Sequence, residues 1–364
     1  MLLQRCTNES RPASGLNFAV ATGTAPNLTP EGYTNLHQAV HQGNQEAIRK
    51  LLESNPELAT IADNYGQTAL HWVSSKGNGE EGAWLDTLSL LLETMNSQSA
   101  QSIEQATIGE GSTALHLAVH CGNREMIKRL VQACPRLATL ADKHGQTALH
   151  WVSSKGNGEE GAWLDTLSLL LETMNSQSAQ SIEQATIGEG STALHLAVHC
   201  GNREMIKRLV QACPRLAILA DKHGQTPLHW VAAKNHAEEG QWINTLKLLT
   251  QIMKDHDETS LKLKTHITGY TALHLAIHSE NTQMIEWLLQ ECCELANIND
   301  NYGQSALFWI ADMRLLEEET WQRIVSGLLA VIKDPQALQN AQGLANARGH
   351  QWLTTLIQNK IGSL

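Results

Sequence analysis

Long apolar runs are missing from this chain, and their absence removes one class of function. No stretch approaches the roughly 18 consecutive apolar residues that a membrane-spanning helix needs, so no membrane role is expected. An excess of basic residues is missing as well. Lys and Arg number 26 against 37 Asp and Glu, for a formal net charge of −11, and no basic run stands out. Affinity for a phosphate backbone rests on clustered cations, so neither nucleic acid nor an anionic membrane surface is an expected partner. Residues 1–10 contain an apolar run of only three, too short for the core of a secretory signal. The seven cysteines offer no pairing framework. Their count is odd, and Cys121/Cys200 and Cys134/Cys213 are copies of two positions. That usage suits a reducing, cytoplasmic setting.

What the chain has instead is itself, several times over. Residues 66–138 and 145–217 are identical letter for letter, at an offset of 79. Weaker copies continue the series, with Gly32, Gly111, Gly190 and Gly269 in one register and Gly66, Gly145, Gly224 and Gly303 in another. Successive glycines are spaced 34 and then 45. Periods of this size signal a stack of supersecondary units, each too small to bury its own core.

Each unit opens on a Gly-x-Ser/Thr-x-Leu pattern, clearest at Gly111–Leu115 and Gly145–Leu149. The threonine can cap the helix that it precedes. Leu115, Leu117 and Ala118 give that helix an apolar face, and Gly122-Asn123 breaks it. A second helix follows, apolar at Met126, Ile127, Leu130 and Val131. A turn-type segment, Ala141–Gly145, then returns to the next unit.

These residues resemble the ankyrin-repeat family. Its signature, Thr-Pro-Leu-His, stands at 226–229, with Thr-Ala-Leu-His at 113–116, 147–150, 192–195 and 271–274. Weaker copies lie at Thr34–His37 and Ser305–Phe308. The resemblance covers about residues 32–360 and implies an all-α solenoid in which each repeat is a β-turn finger and two antiparallel helices. Eight repeats are expected over 32–340, starting near 32, 66, 111, 145, 190, 224, 269 and 303, with a truncated capping repeat at 341–364. Residues 1–31 are expected to be a loosely ordered or capping leader. The repeats starting at 66, 145, 224 and the shorter copy at 303 carry extra residues between their helices, such as Gly156–Ala162, and the 45-residue repeats also have a longer return, such as Asn175–Gln184. The array is therefore a string of short–long pairs.

Four His-x-x-x-His pairs recur, at His37/His41, His116/His120, His195/His199 and His274/His278. The spacing puts both rings on one helix face, as zinc sites use. No glutamate follows the first histidine, and neighbouring packed helices lie roughly 8–10 Å apart, so no third ligand is in reach. No metal and no cofactor are expected. In the family the first histidine bonds the turn backbone. His120-Cys121 and His199-Cys200 could suggest a base and a nucleophile. Adjacent helical residues point about 100° apart, so no catalytic residue and no enzyme activity are expected. Trp72, Trp151, Trp230 and Trp309 take a packing position, and Trp84, Trp163, Trp242 and Trp321 anchor the longer insertion. The insertion's paired glutamates, such as Glu80-Glu81 and Glu159-Glu160, fit a solvated helix start, where carboxylates favour the positive dipole end. The rival account is an acidic ridge that steers a basic partner.

In ankyrin proteins, partners lie against the finger tips and the exposed side of the first helix. Carried onto this sequence, the tips are Asn64, Tyr65 and Gln67; Lys143, His144 and Gln146; Lys222, His223 and Gln225; and Asn301, Tyr302 and Gln304. The first-helix positions include Lys76, His120, Lys155, His199, Lys234 and His278. This face is polar and mildly basic, which suits a polar or acidic segment of another protein bound on the concave side. No small-molecule substrate is expected. The resemblance implies a protein-binding scaffold in the cytoplasm. Long arrays with near-perfect repeats also imply an effector that an intracellular bacterium places in its host. The alternative is a subunit that presents substrate within an enzyme complex.

Overall fold

The computed structural model describes residues 29–76, 81–155, 160–234, 239–313 and 318–363. The short first helices are α1 (Asn35–Gln42), α3 (Ala69–Ser74), α5 (Ala114–Cys121), α7 (Ala148–Ser153), α9 (Ala193–Cys200), α11 (Pro227–Ala232), α13 (Ala272–His278) and α15 (Ala306–Asp312). Each is followed by a second helix: α2 (Gln45–Ser54), α4 (Glu81–Gln98), α6 (Arg124–Ala133), α8 (Glu160–Gln177), α10 (Arg203–Ala212), α12 (Glu239–His256), α14 (Thr282–Glu291) and α16 (Glu318–Val331). A last pair, α17 (Pro335–Arg348) and α18 (Gln351–Ile361), ends the series. Among the described residues the regular elements are all helical. The extended backbone amounts to isolated bridges such as Ala106 to Thr113 and Ala141 to Thr147. The all-α repeat architecture expected from the sequence is present.

One repeat shows why the pattern folds this way. The signature threonine is the N-cap. In the first repeat, His37 N donates to Thr34 Oγ1 at 3.3 Å, and Thr34 N donates to His37 Nδ1 at 3.2 Å. This reciprocal box satisfies two amides that the helix start would otherwise leave orphaned. In the third repeat, α5 stops at Gly122, whose φ of 75° is left-handed, a conformation that glycine adopts at no steric cost. Asn123 then caps α6 by accepting from Met126 N at 3.1 Å. Met126, Ile127, Leu130 and Val131 are all buried. Each such side chain contributes about 1.5–3 kcal/mol by leaving water. Pro135 follows the Cys134 C-cap and turns the chain into a 3-10 helix, Pro135–Thr139.

Short and long repeats differ in the second helix. It has 10 residues in α2, α6, α10 and α14, but 18 in α4, α8 and α12. The sequence reading placed Asn175–Gln184 in a longer return. Instead α8 runs on to Gln177, and a 3-10 helix, Ala179–Glu183, makes up most of the rest. Likewise α4 starts at Glu81, so the tail of the insertion is already helical. Glu80, Glu159, Glu238 and Glu317 lie outside the described residues.

The described residues form two compact units. One comprises those up to 152 together with 161–187, and the other those from 188 onward with the described part of 153–160. In the first unit α1 packs on α3 and α3 on α5, while α2 packs on α4 and α4 on α6. In the second, α9, α11, α13, α15 and α17 stack in order, beside α10, α12, α14, α16 and α18. The terminal pair begins at Pro335, inside the span expected for the eighth repeat. It buries Leu338, Ala341, Ala345, Leu353 and Ile357 against its neighbours. Residues 29–31 belong to the first finger, where Gly32 N donates to Thr29 O at 2.8 Å.

Candidate protein-binding surface

In the long repeats an aspartate organises the finger. Asp63 is 5% exposed. Its Oδ1 accepts from Tyr65 N at 2.9 Å and from Gln67 N at 2.8 Å, while Oδ2 accepts the indole N–H of Trp72 at 3.2 Å. One carboxylate thus closes the turn, as Asx turns do, and ties the turn to the first helix. Asp142/Trp151, Asp221/Trp230 and Asp300/Trp309 repeat the arrangement. In short repeats a threonine closes the turn, with Thr107 Oγ1 accepting from Ser112 N at 3.0 Å.

Consecutive fingers are joined tip to tip. In the first unit Asn64 N donates to Glu31 O (3.1 Å), Ile108 N to Tyr65 O (2.8 Å), Lys143 N to Glu110 O (2.9 Å) and Ile187 N to His144 O (2.7 Å). In the second, Lys222 N donates to Glu189 O (2.9 Å), His266 N to His223 O (2.8 Å) and Asn301 N to Thr268 O (2.9 Å). Such close approach needs a residue without Cβ. A Cβ on Gly145, at φ 74°, would sit 2.7 Å from Ile187 N.

The signature histidines run beneath this ladder. His116 Nε2 lies 3.0 Å from Gln146 O of the next finger, and Thr113 N donates to Nδ1 at 3.2 Å. A carbonyl only accepts, so Nε2 carries the proton and the ring is neutral. His37 and His195 make the same bridge to Gln67 O and Gln225 O. Burial lowers the pKa of His37, His116 and His195. It takes His71, His229 and His274 down to about 4, partly offset by the backbone carbonyls that they face.

The second histidine of each pair is exposed on the first helix. His120 turns its edge to Trp151 with ring centroids 5.9 Å apart, and His199 and His278 do the same to Trp230 and Trp309 at 6.0 Å. Both rings of a His-x-x-x-His pair thus lie edge-on to the same tryptophan, His116 and His120 at 5.4 and 5.9 Å from Trp151, and the first of them also reaches a finger carbonyl. Among the described residues, no group of three or more His, Cys, Asp or Glu side chains is arranged to hold a metal ion. No described helix is long and apolar enough to cross a membrane.

The sequence-predicted surface residues fall into two groups. Tyr65, Tyr302, Lys143, His144, Lys222, His223, Asn64 and Asn301 are exposed at finger tips. Several also grip the preceding finger. Lys143 Nζ donates to Ile108 O, His144 Nε2 lies 2.8 Å from Glu110 Oε2, and His223 Nε2 lies 3.1 Å from Glu189 Oε2. Gln67, Gln146, Gln225 and Gln304 are half-buried and offer their carbonyls to the histidines inside. The lysines expected on the first helices lie just beyond their C-caps, where Lys76 Nζ sits 5.0 Å from the Trp84 ring centroid and Lys234 Nζ 4.9 Å from that of Trp242. Lys155 is half-buried at the equivalent position.

Sequence reasoning took tips only from the long repeats and missed those of the short ones. Ile108 and Ile187 are 63% exposed and Ile267 is 73% exposed. With Tyr65 at 58% and Tyr302 at 65%, apolar tips flank the charged ones at Lys143/His144 and Lys222/His223. An isoleucine inside a glycine-rich turn, as in Thr107-Ile-Gly-Glu-Gly, was the available signal.

Profiles described as ankyrin repeats, in many copies, match residues 36–92, and profiles of three copies match 81–177, 160–243 and 237–318. The chain is 29% identical to the Gallus gallus nuclear factor NF-kappa-B p105 subunit over 182 residues, 50% of this chain and 17% of that protein. It is 26% identical to Homo sapiens inversin over 268 residues, 73% of this chain and 22% of that protein. It is 27% identical over 206 residues to a Saccharomyces cerevisiae protein named as a probable 26S proteasome regulatory subunit p28, 56% of this chain and 80% of that protein. The chain thus spans less than a quarter of p105 and inversin. Fingers, capped helix pairs and a signature recurring in register agree with profiles that match most of the chain, which belongs to the ankyrin-repeat family.

Proposed function

We propose that this protein is a non-catalytic scaffold that binds a polar or acidic segment of another protein along its finger tips and the concave, first-helix side. The carrying observation is the row of tips, where Tyr65, Ile108, Ile187, Ile267 and Tyr302 stand exposed beside Lys143, His144, Lys222 and His223. Aromatic and aliphatic groups next to charges that are held in place are what a protein interface uses. The internal grip on Lys143, His144 and His223 fixes these groups before a partner arrives, which lowers the ordering cost of binding. Its place of work is the cytoplasm, that of a host where the chain acts as a delivered effector; the copied cysteine positions support a reducing compartment. A subunit that presents substrate within an enzyme complex is the second reading. It is favoured by the likeness to a protein named as a proteasome regulatory subunit.

The test changes Lys143, His144, Lys222 and His223 together to alanine. Surface changes usually move stability by about ±0.5 kcal/mol each, so the variant should keep its helical circular dichroism. Capture of partner from cell lysate should fall at least tenfold. Undiminished capture by the folded variant would take the site off the finger tips.

A further inference from the structure

The last short–long pair departs from the other three at one surface spot. The offset of 79 that aligns the pairs equates Gly43, Gly122 and Gly201 with Glu280. It equates Ser75, Ser154 and Ala233 with Asp312, and Lys76, Lys155 and Lys234 with Met313. His71, His150 and His229 become Phe308. Two carboxylates have been gained and one ammonium lost at positions whose neighbours, His278 and Trp309, keep the register of the earlier pairs.

The substituted positions meet in space. Among the described residues, Glu280, Asp312, Phe308, Trp309, His278 and Met313 line a cavity of about 610 Å³ in the second unit. Leu344 of α17 also lines it, from the helix that packs on α15 where an internal repeat would have been followed by another first helix. Arg348 of α17 donates through Nε to Asp312 Oδ1 at 3.0 Å. This fixes the carboxylate and offsets part of its charge. Glu280 is exposed and sits at φ 55°, the positive-φ residue among the described ones that is not glycine. The glycines at the same place in the earlier pairs have φ of 69°, 75° and 76°. A glutamate is strained in this conformation and a glycine is not. Strain kept at one copy of a repeated position points to a use for that side chain.

We propose that this cavity takes a cationic side chain, lysine or arginine, of a partner polypeptide. The aliphatic stem lies along Met313 and Leu344 and the faces of Phe308 and Trp309, and the charged head meets Glu280 and the open oxygen of Asp312. Aromatic faces attract cations, and long basic side chains place their stems on apolar surface with the head at its edge. The proposal adds to the protein-binding reading a second contact of opposite charge at one end of the array. It is tested on synthetic peptides, so it can fail while finger-tip capture survives, or survive while that capture fails.

The probe is a Gly-Ser nonapeptide with one central lysine, titrated against the full chain while the Trp309 indole resonance is followed. Peptides with arginine, norleucine or glutamate at the centre are run beside it. The lysine or arginine peptide should bind at least tenfold more tightly than the norleucine one. Reverting the spot to the residues of the earlier pairs, Glu280→Gly with Asp312→Ser and Met313→Lys, should remove at least tenfold of that affinity. A control with the same charge change elsewhere, Glu53→Gln with Glu57→Gln and Asp86→Asn, should keep it. Glu280→Gly alone should weaken binding while raising the thermal midpoint, which separates loss of a ligand from loss of fold. Equal binding of the norleucine peptide would make the cavity an apolar site and overturn the proposal. Unchanged affinity in Glu280→Gly, equal loss in the charge control, or sedimentation showing the face covered by a second copy of the chain would overturn it too.

Discussion

A short repeat and a long repeat share one half and differ in the other. Their finger and first helix follow the same plan: a turn closed by an acceptor side chain, a threonine N-cap and a neutral histidine beneath the next finger. Their second helices differ by nearly a factor of two in length, 10 residues in α6 against 18 in α4. Yet one backbone hydrogen bond joins each finger to the next, whether the intervening repeat is short or long. Extra length is therefore taken up on the second-helix side, and the finger-to-finger bond is kept. The added first turn is held down by a tryptophan. Trp84 is 7% exposed, and its ring lies beside Gly43 of the preceding repeat, where a Cβ would come within 3.8 Å of it; Trp163 lies beside Gly122 in the same way.

Acid should test the shared half most strongly. His71, His229 and His274 have native pKa values near 4, below the ordinary 6.5. The unfolded chain then binds protons that the native one refuses. Stability is fully present above about pH 6.5 and is lost as the pH falls toward 4. Each of the three contributes at most about 3 kcal/mol. Urea unfolding across pH 7.5 to 4 should show the midpoint falling mainly in that window. A midpoint that stays level down to pH 4.5 would mean that these rings are not held neutral.

The differing half is tested by Trp163→Ala. Removing a buried tryptophan costs about 3–5 kcal/mol, and the added first turn of α8 should lose its protection from hydrogen exchange. Loss spread evenly over α8 would deny that the indole is a local anchor.

A smaller effect separates two glycines of similar φ. Gly145→Ala should cost about 2 kcal/mol or more, because the left-handed penalty of about 1–2 kcal/mol is joined by a clash with Ile187 N. Gly122→Ala should cost about 1 kcal/mol, since its Cβ would meet Trp163 at an ordinary 3.6 Å. Equal thermal shifts in the two variants would remove the finger ladder as a source of stability.

Much of the fold was legible because its signals recur along the chain. Periodic glycines, threonine caps and the Met126–Val131 pattern report local preferences, and eight copies average out their noise. The lengths of the second helices were not legible. Asn175–Gln177 looks like a loop by composition, and tertiary packing of Met174, which is fully buried, carries the helix through it. Asp142 was read as one letter of the Ala141–Gly145 turn, because the indole that it holds is nine residues away and only the folded helix brings the two together. The exposed isoleucines escaped notice for a related reason. An apolar residue suggests core, and only the finger's direction shows that it faces water.

The alternation of two kinds of junction also governs how such a gene can grow. A threonine-closed finger always sits between two aspartate-closed ones inside the array, and each junction is shaped for its own order. Insertion of a single repeat would set like beside like, with no surface made for the meeting. Insertion of a whole pair recreates only junctions that already exist, and the verbatim copy at 145–217 is such an event left unedited. The array counts in twos: unequal crossing-over can lengthen or shorten its row of fingers by pairs without inventing a new contact.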